Sequence, residues 1–355
     1  MTSGGPRLDD GDGLLDWGRL QPWIAACPAP GKGPVTDCVP LAGGTQNHLF
    51  LLTRADGSAI VLRRPPRHPR PKSDETMLRE ARVLAALSGA GSGSDVPHPT
   101  FFAVCDDPSV IGTCFHLGAA VDGFNPGSAL EGRYVDDPDW QRSLGLSMVD
   151  AIAALASIRP DEVGLADLGR PDGWIERQVP RWRALLDSFQ GFEGYDGPDL
   201  PGVDRVGTWL EAHRPDDFTC RVIHGDFHLA NVLARHDRPE LAAVVDWELT
   251  TLGDPRLDLA WLLATSGGVG SFAAAAPGFP SPDELIDRYA DLTGLSVDDL
   301  DWWWTLACYK LGIILEGTNA RAAAGLAPVE TGRDLHERAV LLFEQAGRLV
   351  DGSPE

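Results

Sequence analysis

The sequence predicts an α+β protein with two lobes: a small antiparallel β-sheet lobe that carries one helix, and a larger, mainly α-helical lobe. Segments with strand character before residue 118 are short and bounded by turn residues, whereas the long segments after residue 137 have helical spacing. A chain of 355 residues exceeds one typical domain but falls within the range of two lobes around a cleft. With 43% hydrophobic residues, it can bury a sizeable core.

Composition narrows the classes of partner and compartment. A net charge of −22 argues against nucleic acid and anionic membranes, because these polyanions would be repelled. Six cysteines stand without a close pair of metal-ligand spacing, which indicates reduced thiols in a cytoplasmic protein. Residues 1–13 are acidic and rich in glycine, which predicts disorder and no signal peptide. The longest apolar segment, 302–315, contains Lys310 and is too short to span a bilayer.

The N-terminal lobe is predicted over residues 14–118. Apolar residues from Leu15 to Ile24 recur at near-helical spacing, so a short leading helix is expected at 14–27. Asp56-Gly57 is a hairpin turn between two apolar segments. The predicted strands are 38–41, 48–53, 59–63, 100–105 and 113–117, and the helix of the lobe is 73–87.

A glycine-containing loop, Leu41-Ala42-Gly43-Gly44-Thr45-Gln46-Asn47, lies between the first two predicted strands. Glycines allow backbone N–H groups to approach phosphate oxygens, and the small polar side chains add donors. Gly-Gly in a hairpin is more often only a turn, so both interpretations stay open.

Glu80 falls on the apolar stripe of the predicted helix 73–87, beside Met77 and Ala81. A carboxylate on a buried stripe needs a partner to offset its desolvation. Arg63, at the end of the preceding strand, is the natural candidate. The alternative is that Glu80 lies at the edge of the stripe and extends to solvent.

Residues 119–355 form the second predicted lobe. The strand pattern is lost over 118–123, which indicates a hinge, and we find no internal repeat. The predicted helices are 137–158, 173–189, 203–213, 259–265, 281–292, 300–317 and 331–349.

One polar pattern interrupts this lobe. An apolar segment leads into His224-Gly225-Asp226, Asn231 follows five residues later, and a second apolar segment ends in Asp246. Phosphoryl transfer uses one carboxylate to orient a hydroxyl and accept its proton, and an amide and a second carboxylate to hold Mg²⁺ on the phosphates. The pattern supplies these groups in that order.

The alternation of His224, Asp226 and His228 also permits a transition-metal site on one strand face. No further His, Asp or Glu cluster in the sequence completes such a shell, and this reading leaves Asn231 and Asp246 unexplained. His228 receives no role in the phosphoryl-transfer interpretation.

Taken together, these elements resemble the aminoglycoside phosphotransferase and choline kinase-like family, in order, over roughly residues 40–320. Within the family, the chain is most similar to the kinase-like domains related to those fused to acyl-CoA dehydrogenases. The resemblance implies a protein kinase-like fold, with a nucleotide-binding N-terminal lobe and a catalytic, acceptor-binding C-terminal lobe. The matching segments are Gly43-Gly44-Thr45-Gln46-Asn47, Val61-Leu62-Arg63-Arg64-Pro65-Pro66, Asp246-Trp247-Glu248-Leu249-Thr250-Thr251-Leu252-Gly253-Asp254-Pro255 and Lys310-Leu311-Gly312-Ile313-Ile314-Leu315-Glu316-Gly317.

The resemblance also implies roles for single residues. Asp226 would be the catalytic base, and Asn231, Asp246 and Glu248 the Mg²⁺ ligands. His224 and Asp258 would support the catalytic loop. The implied nucleotide-binding residues are Gly43, Gly44, Thr45, Gln46, Asn47, Arg63, Glu80, Leu117, Gly118 and Ala119.

Two departures from the family pattern concern the nucleotide. Arg63 stands where most kinases have lysine, and a planar guanidinium and a point ammonium are not interchangeable. Gly118-Ala119-Ala120 stands where relatives have a larger apolar residue and an acidic one. The small side chains leave backbone groups, rather than side chains, to contact a purine.

The predicted function is Mg²⁺-dependent transfer of the γ-phosphoryl group of ATP or GTP to a hydroxyl of a small acceptor. The candidate acceptors are a hydroxy acid, a hydroxyacyl thioester and an aminoglycoside-like antibiotic, and Trp302-Trp303-Trp304 could line an apolar acceptor pocket. The resemblance also implies an acyl-CoA dehydrogenase in the same pathway. The alternative is a nucleotide-binding protein of the same fold without turnover.

Overall fold

The computed structural model describes residues 8, 13–41, 47–68, 71–89, 95–266 and 274–352. The segment predicted to be disordered, 1–13, lies outside the described residues apart from Leu8 and Gly13. The glycine-loop residues Gly43, Gly44, Thr45 and Gln46 lie outside them as well.

Contacts between Cα atoms group the chain into two compact units. Unit 1 comprises the described residues within 1–93, 97–122 and 242–250, and unit 2 comprises those within 94–96, 123–241 and 251–355. The segment that carries Asp246 therefore belongs to unit 1. A lobe boundary at residue 118 stays a prediction.

Unit 1 contains, among its described residues, a five-stranded antiparallel sheet in the order β1-β2-β3-β5-β4. The predicted small antiparallel sheet is thereby confirmed. Its elements are α1 Trp17–Ala26, β1 Val35–Leu41, β2 His48–Arg54, β3 Ala59–Arg64, α2 Ser73–Ser88, β4 Phe101–Cys105 and β5 Phe115–Ala119.

Alternation along the strands builds the core of unit 1. Phe50 and Leu52 on β2 and Ile60 and Leu62 on β3 are buried at every second position, as one buried sheet face requires. The leading helix covers this face, and Trp23 packs edge-on against a ring of β5, with centroids 4.7 Å apart. Burial of these side chains fixes the register of the strands.

The expected loss of strand pattern from residue 118 onward is wrong for Gly118 and Ala119, because β5 continues through both. Gly118 pairs with Val61 on β3, and the backbone N–H of Ala119 donates to the carbonyl of Thr100 at 2.8 Å. An added Cβ at Gly118 would lie 3.3 Å from that carbonyl oxygen. Close approach of a neighbouring backbone therefore explains why the strand carries a small residue here.

Unit 2 is mainly helical, as predicted. Its helices are α3 Pro138–Ser157, α4 Trp174–Ser188, α5 Val203–Ala212, α6 Arg256–Ser266, α7 Pro282–Thr293, α8 Leu300–Ala323 and α9 Val329–Val350. The remaining strands of the described chain are β6 Arg221–Ile223, β7 Val232–Ala234, β8 Leu241–Val244 and β9 Thr251–Gly253, and β6 pairs with β9. None of the helices in the described ranges has the length and apolarity that crossing a bilayer requires.

Two helices, α6 and α8, extend at least three residues beyond their predicted limits. Helix α6 begins at Arg256 rather than at residue 259, because buried Asp254 accepts the backbone N–H of Arg256 at 3.0 Å and its guanidinium at 2.8 Å. Helix α8 continues past residue 317 to Ala323. Gly317 lies inside it as a packing residue, since an added Cβ would lie 2.7 Å from the ring of Phe189.

The tryptophan run of α8 contributes mostly to the core. Trp302 and Trp303 are buried, and the indole N–H of Trp302 donates to the carbonyl of Leu210 at 2.9 Å. The ring of Trp303 lies under the guanidinium of Arg256, 5.0 Å from its centroid. These two residues hold α8 to its neighbours, and an acceptor pocket lined by the tryptophan run stays a prediction.

Gly312 allows α8 and α9 to pack closely, and we predict that Gly312→Ala lowers the melting temperature. An added Cβ would lie 2.6 Å from a ring carbon of Phe343, so the ring or the helix must shift. Overpacking of this kind costs about 1–3 kcal/mol, which outweighs the roughly 1 kcal/mol by which alanine favours a helix. Thermal unfolding measures the effect.

The matched control is Gly191→Ala, because a Cβ there meets nothing within 4 Å. Equal melting temperatures for the two variants would contradict close packing at Gly312.

Candidate active site

In unit 2, Asp226 lies in the loop that follows β6, and its carboxylate is held by two side chains. The amide nitrogen of Asn231 donates to Asp226 Oδ2 at 2.9 Å and to the Asp226 carbonyl at 2.9 Å. The Nε2 atom of His228 lies 3.3 Å from Asp226 Oδ1. About a quarter of the Asp226 side chain (26%) is exposed, so the carboxylate is fixed in direction but still reaches solvent.

Hydrogen bonds from the backbone hold the rings of both histidines. The N–H of Asp226 donates to Nδ1 of His224 at 3.3 Å, and the N–H of Ala230 donates to Nδ1 of His228 at 3.2 Å. Each Nδ1 therefore acts as an acceptor, and Nε2 of His228 lies 3.3 Å from the amide nitrogen of Asn231 as well as from Asp226. Both rings therefore hold the backbone of the loop through Nδ1.

Asp258, in the first turn of α6, holds the backbone of the same loop. Its two oxygens accept the N–H of His224 at 2.7 Å and the N–H of Gly225 at 2.9 Å. Burial raises the pKa of this carboxyl group, although the two N–H donors and the charges of His224 and Lys310 act in the opposite direction. The predicted loop-supporting residues His224 and Asp258 thus lie together.

The environment of Asp226 favours its ionised form. Burial by itself would raise the pKa of Asp226, but the hydrogen bond from His228 and the charges of His228, His224 and Lys310 lower it well below the usual range. Asp226 is therefore a carboxylate throughout the neutral pH range, able to accept a hydrogen bond from a hydroxyl.

In unit 1, three carboxylates surround the guanidinium of Arg63. Its Nε lies 3.0 Å from Glu80 Oε2, and its Nη2 lies 2.5 Å from Asp246 Oδ1 and 3.9 Å from Glu248 Oε2. The contact with Glu80 is a close ion pair whose angle falls short of a hydrogen bond. The predicted partnership of Arg63 with Glu80 is confirmed, and the alternative of an edge position is wrong because Glu80 is only 2% exposed.

Both charges of this buried pair are maintained by their neighbours. Burial would raise the pKa of Glu80, but Arg63, His116 and the backbone N–H of Trp247 lower it. Burial would likewise lower the pKa of Arg63, but Glu80, Asp246 and Glu248 raise it. The pair is consequently ionised on both sides.

The backbone turns sharply at Asp246, and this turn sets the directions of the Asp246 and Glu248 side chains. Asp246 has φ 64° and ψ 61°, the left-handed conformation that aspartate tolerates better than most residues. A 3₁₀ turn over Trp247–Leu249 begins there, and the buried indole of Trp247 donates to the carbonyl of Val244 at 3.0 Å. Asn47, at the end of the glycine loop, donates to Glu248 at 3.3 Å.

The other residues expected to bind nucleotide lie in β5 or outside the described chain. Leu117 is fully buried, and Gly118 and Ala119 take part in the sheet, as described above. Gly43, Gly44, Thr45 and Gln46 lie outside the described residues.

The donor atoms in unit 1 fit a divalent cation. One positive and three negative groups (Arg63 with Glu80, Asp246 and Glu248) leave this cluster with a formal charge of −2. Within the described ranges, no three His, Cys, Asp or Glu side chains are arranged as a complete metal site. Mg²⁺ is commonly held by only one or two carboxylates, with water and phosphate oxygens completing its shell. Asp246 and Glu248 fit that description.

Three residues of these clusters were not expected from the sequence. His228 contacts Asp226, His116 lies 3.7 Å from Glu80, and the ammonium of Lys310 donates to the carbonyl of Gly225 at 3.0 Å. Lys310 stood in a segment that matched the family, but no local spacing connects it with a loop 85 residues earlier.

Comparison with protein families and curated proteins agrees with the geometry. A model described as "Phosphotransferase enzyme family" matches residues 37–292. Acyl-CoA dehydrogenase family member 11 of Gallus gallus is 30% identical over 351 residues, which cover 93% of this chain and 43% of that protein. The chain spans less than half the length of the first curated relatives it matches.

Solved structures share the fold. A crystal structure from Ralstonia eutropha, provisionally named an aminoglycoside phosphotransferase, has a TM-score of 0.80 and 25% identity, covering 96% of this chain and 100% of that one. The GDP complex of aminoglycoside 2'-phosphotransferase-IIIa has a TM-score of 0.61 and 16% identity, covering 86% and 93%. The protein kinase-like α+β fold is thereby confirmed.

Replacing the buried Arg63 of unit 1 should destabilise the protein more than replacing an arginine on the surface. In Arg63→Met, Glu80 remains buried without its main partner, and breaking a buried ion pair in this way costs about 3–5 kcal/mol. Adding Glu80→Leu should recover part of the loss, because the stranded carboxylate is removed as well. Thermal unfolding provides the measurement.

The control is Arg19→Met, since Arg19 forms an exposed ion pair with Asp16 and such pairs contribute about 0–1 kcal/mol. If Arg63→Met unfolded at the same temperature as this control, the ion pair in unit 1 would not be a stabilising feature.

Proposed function

The chain belongs to the phosphotransferase enzyme family, and from this premise we propose that it transfers the γ-phosphoryl group of ATP or GTP, with Mg²⁺, to a hydroxyl of a small acceptor. The observation that carries the proposal is the arrangement around Asp226. The Asp226 carboxylate is partly exposed and ionised, and contacts with Asn231 and His228 fix its direction. Asp258 accepts hydrogen bonds from the backbone of the same loop.

Asp226 acts on the acceptor hydroxyl in this proposal. Its lowered pKa makes it a weak base toward a free hydroxyl, so its main contribution is to accept a hydrogen bond and orient the oxygen for attack. Phosphoryl transfer proceeds through a loose transition state, in which positioning contributes more than early deprotonation. Asp226 takes up the proton as the new bond to phosphorus forms.

The remaining proposed roles concern the phosphates and the base of the nucleotide. Mg²⁺ bound with the nucleotide neutralises the charge that develops on the phosphate oxygens. Asp246 and Glu248 are its proposed carboxylate ligands in unit 1, and Asn231 is the proposed amide ligand. Arg63, fixed by Glu80, would bind phosphate oxygens, as would the backbone of the glycine loop. Leu117, Gly118 and Ala119 are the proposed contacts for the base.

The charges near Asp226 favour an anionic acceptor. Lys310 lies beneath the loop, and exposed Arg181 on α4 is near enough to lower the pKa of Lys310. A polycationic aminoglycoside would meet these positive groups, whereas a carboxylate or phosphate would be attracted. We therefore propose a hydroxy acid or hydroxyacyl thioester as the acceptor. The names of the curated relatives support a place in a pathway that includes an acyl-CoA dehydrogenase, and we propose a cytoplasmic location.

Asp226→Asn should separate catalysis from binding. Loss of the carboxylate should lower kcat by roughly 10³-fold or more, because removal of a central catalytic group has effects of this order. Stabilisation of the protein by Mg-ATP, measured as a thermal shift, should persist. Asp246→Asn should instead abolish that shift, because the proposed cation ligand is removed.

Asp237→Asn, at an exposed carboxylate of the same unit, is the control. Near-full turnover in Asp226→Asn would refute the assigned role of Asp226.

A product-detected screen of hydroxylated acceptors with ATP and GTP tests the acceptor class. Hydroxy acids and hydroxyacyl thioesters should be phosphorylated in preference to aminoglycosides, and Arg181→Glu should reduce that preference by reversing a nearby charge. Efficient turnover of an aminoglycoside would contradict the anionic assignment. Binding of Mg-ATP without product from any acceptor would support the alternative, a nucleotide-binding protein without turnover.

A further inference from the structure

Lys310 places a cation directly beneath the loop that carries Asp226. It lies in the middle of α8, is largely buried, and donates from Nζ to the carbonyl of Gly225 at 3.0 Å. The ammonium also faces two indole rings, with centroids 4.3 Å away for Trp261 and 5.6 Å away for Trp182. Across the described part of the chain, the Gly225 carbonyl is the one hydrogen-bond acceptor in contact with this ammonium.

Both backbone polar groups of Gly225 are therefore held by hydrogen bonds. Its N–H donates to Asp258 on α6, and its carbonyl accepts from Lys310 on α8. Gly225 has φ 82°, a conformation that glycine adopts without strain. The Gly225 carbonyl belongs to the peptide bond that joins Gly225 to Asp226. The two hydrogen bonds to Gly225, which we call the clamp, therefore fix the direction of the Asp226 side chain.

Lysine is rare in this chain, so its presence at position 310 is informative. The chain has thirty lysine and arginine residues, and only Lys32, Lys72 and Lys310 are lysines. Burial of an ammonium is costly, and an apolar side chain of similar length would fill this space between the two rings more cheaply. Cation–π contacts offset part of that cost. The charge is retained at a position where it faces Asp226 and Asp258.

We propose that Lys310 is a positioning residue for phosphoryl transfer, whose ammonium holds the Gly225 carbonyl and so keeps the Asp226 carboxylate directed at the acceptor hydroxyl. This inference rests on the proposed function of Asp226 as the group that orients the acceptor. Lys310 touches neither the acceptor nor the nucleotide in this role. It acts through the loop.

The positioning role of Lys310 should depend on pH, because it requires a charged ammonium whose pKa is set by burial and by nearby charged groups. They are Asp226 on the loop, Asp258 on α6 and Arg181 on α4. Burial lowers the pKa of Lys310 to about 8, although the two aspartates act in the opposite direction. The clamp should therefore lose its charge as the pH rises through about 8. Above that pH, wild-type turnover should fall while the protein stays folded, because a lowered lysine pKa means that stability rises with pH between the folded and the unfolded pKa.

The test compares Lys310→Met, Lys310→Arg and Asp226→Asn in the full chain. The probe is Mg-ATP with water as the acceptor, measured as ADP release, so that no identified acceptor is needed. Lys310→Met should lower kcat by about 100-fold, the order of loss expected for a small displacement of a catalytic group, and should leave KM for Mg-ATP within about twofold. Its melting temperature should stay equal or rise, because a buried charge has been removed.

The pH profile of kcat supplies a readout that a purely structural role would not change. The decline above pH 8 should move to higher pH in Lys310→Arg and disappear in Lys310→Met. Hydrogen exchange of the backbone amides of Gly225 and Asp226 should be faster in Lys310→Met. The control is Lys32→Met, which removes an exposed lysine in unit 1 and should match the wild type.

The outcomes separate the two proposals. Wild-type turnover in Lys310→Met, together with loss of turnover in Asp226→Asn, would overturn the role of Lys310 and leave the proposed function standing. A loss of turnover in Lys310→Met that is matched by a fall in melting temperature would overturn it as well. Full turnover in Asp226→Asn would overturn the proposed function, and the inference with it.

Discussion

The buried carboxylate of Asp258 is the contact on which the His224-Gly225-Asp226 loop depends. It accepts two consecutive backbone N–H groups, and an unpaired N–H buried at either position would cost about 1–3 kcal/mol. The burial that makes these hydrogen bonds strong also raises the pKa of the carboxyl group that accepts them. Helix α6 holds Asp258 in place because Arg256, two residues earlier in the same helix, is anchored to Asp254. The stability of the first turn of α6 therefore affects the geometry of the His224-Gly225-Asp226 loop.

The two units use the same physical principle with opposite charges at the centre. In unit 1 a guanidinium is surrounded by carboxylates, which leaves an excess of negative charge suited to a divalent cation. In unit 2 a carboxylate, Asp226, is approached by the imidazoles of His224 and His228 and by an ammonium, which leaves it ionised. In both centres, burial strengthens the interaction between the central charge and its neighbours, which keeps that charge ionised.

Much of the fold could be read from local pattern. The Asp56-Gly57 turn between two short apolar segments located β2 and β3. Helical spacing located α2 and most of unit 2, because one buried face imposes a period on the sequence. Helix ends were harder. The helix predicted to end at residue 317 continues to Ala323, and Gly317 lies within it because its missing side chain accommodates Phe189. The small residues at 118 and 119 looked like a hinge but continue β5 beside a close backbone.

What the sequence determined by itself was the order and chemical type of the polar residues. Asp226, Asn231 and Asp246 stand at spacings that suit their proposed roles, and Glu80 on an apolar stripe required a cation that Arg63 supplies. Only the tertiary structure decided which distant groups surround them. His116 reaches Glu80 from another strand, and Lys310 reaches Gly225 from a helix 85 residues away. Spacing along the chain constrains neighbours on one element, whereas contacts between elements are set by how their buried faces pack.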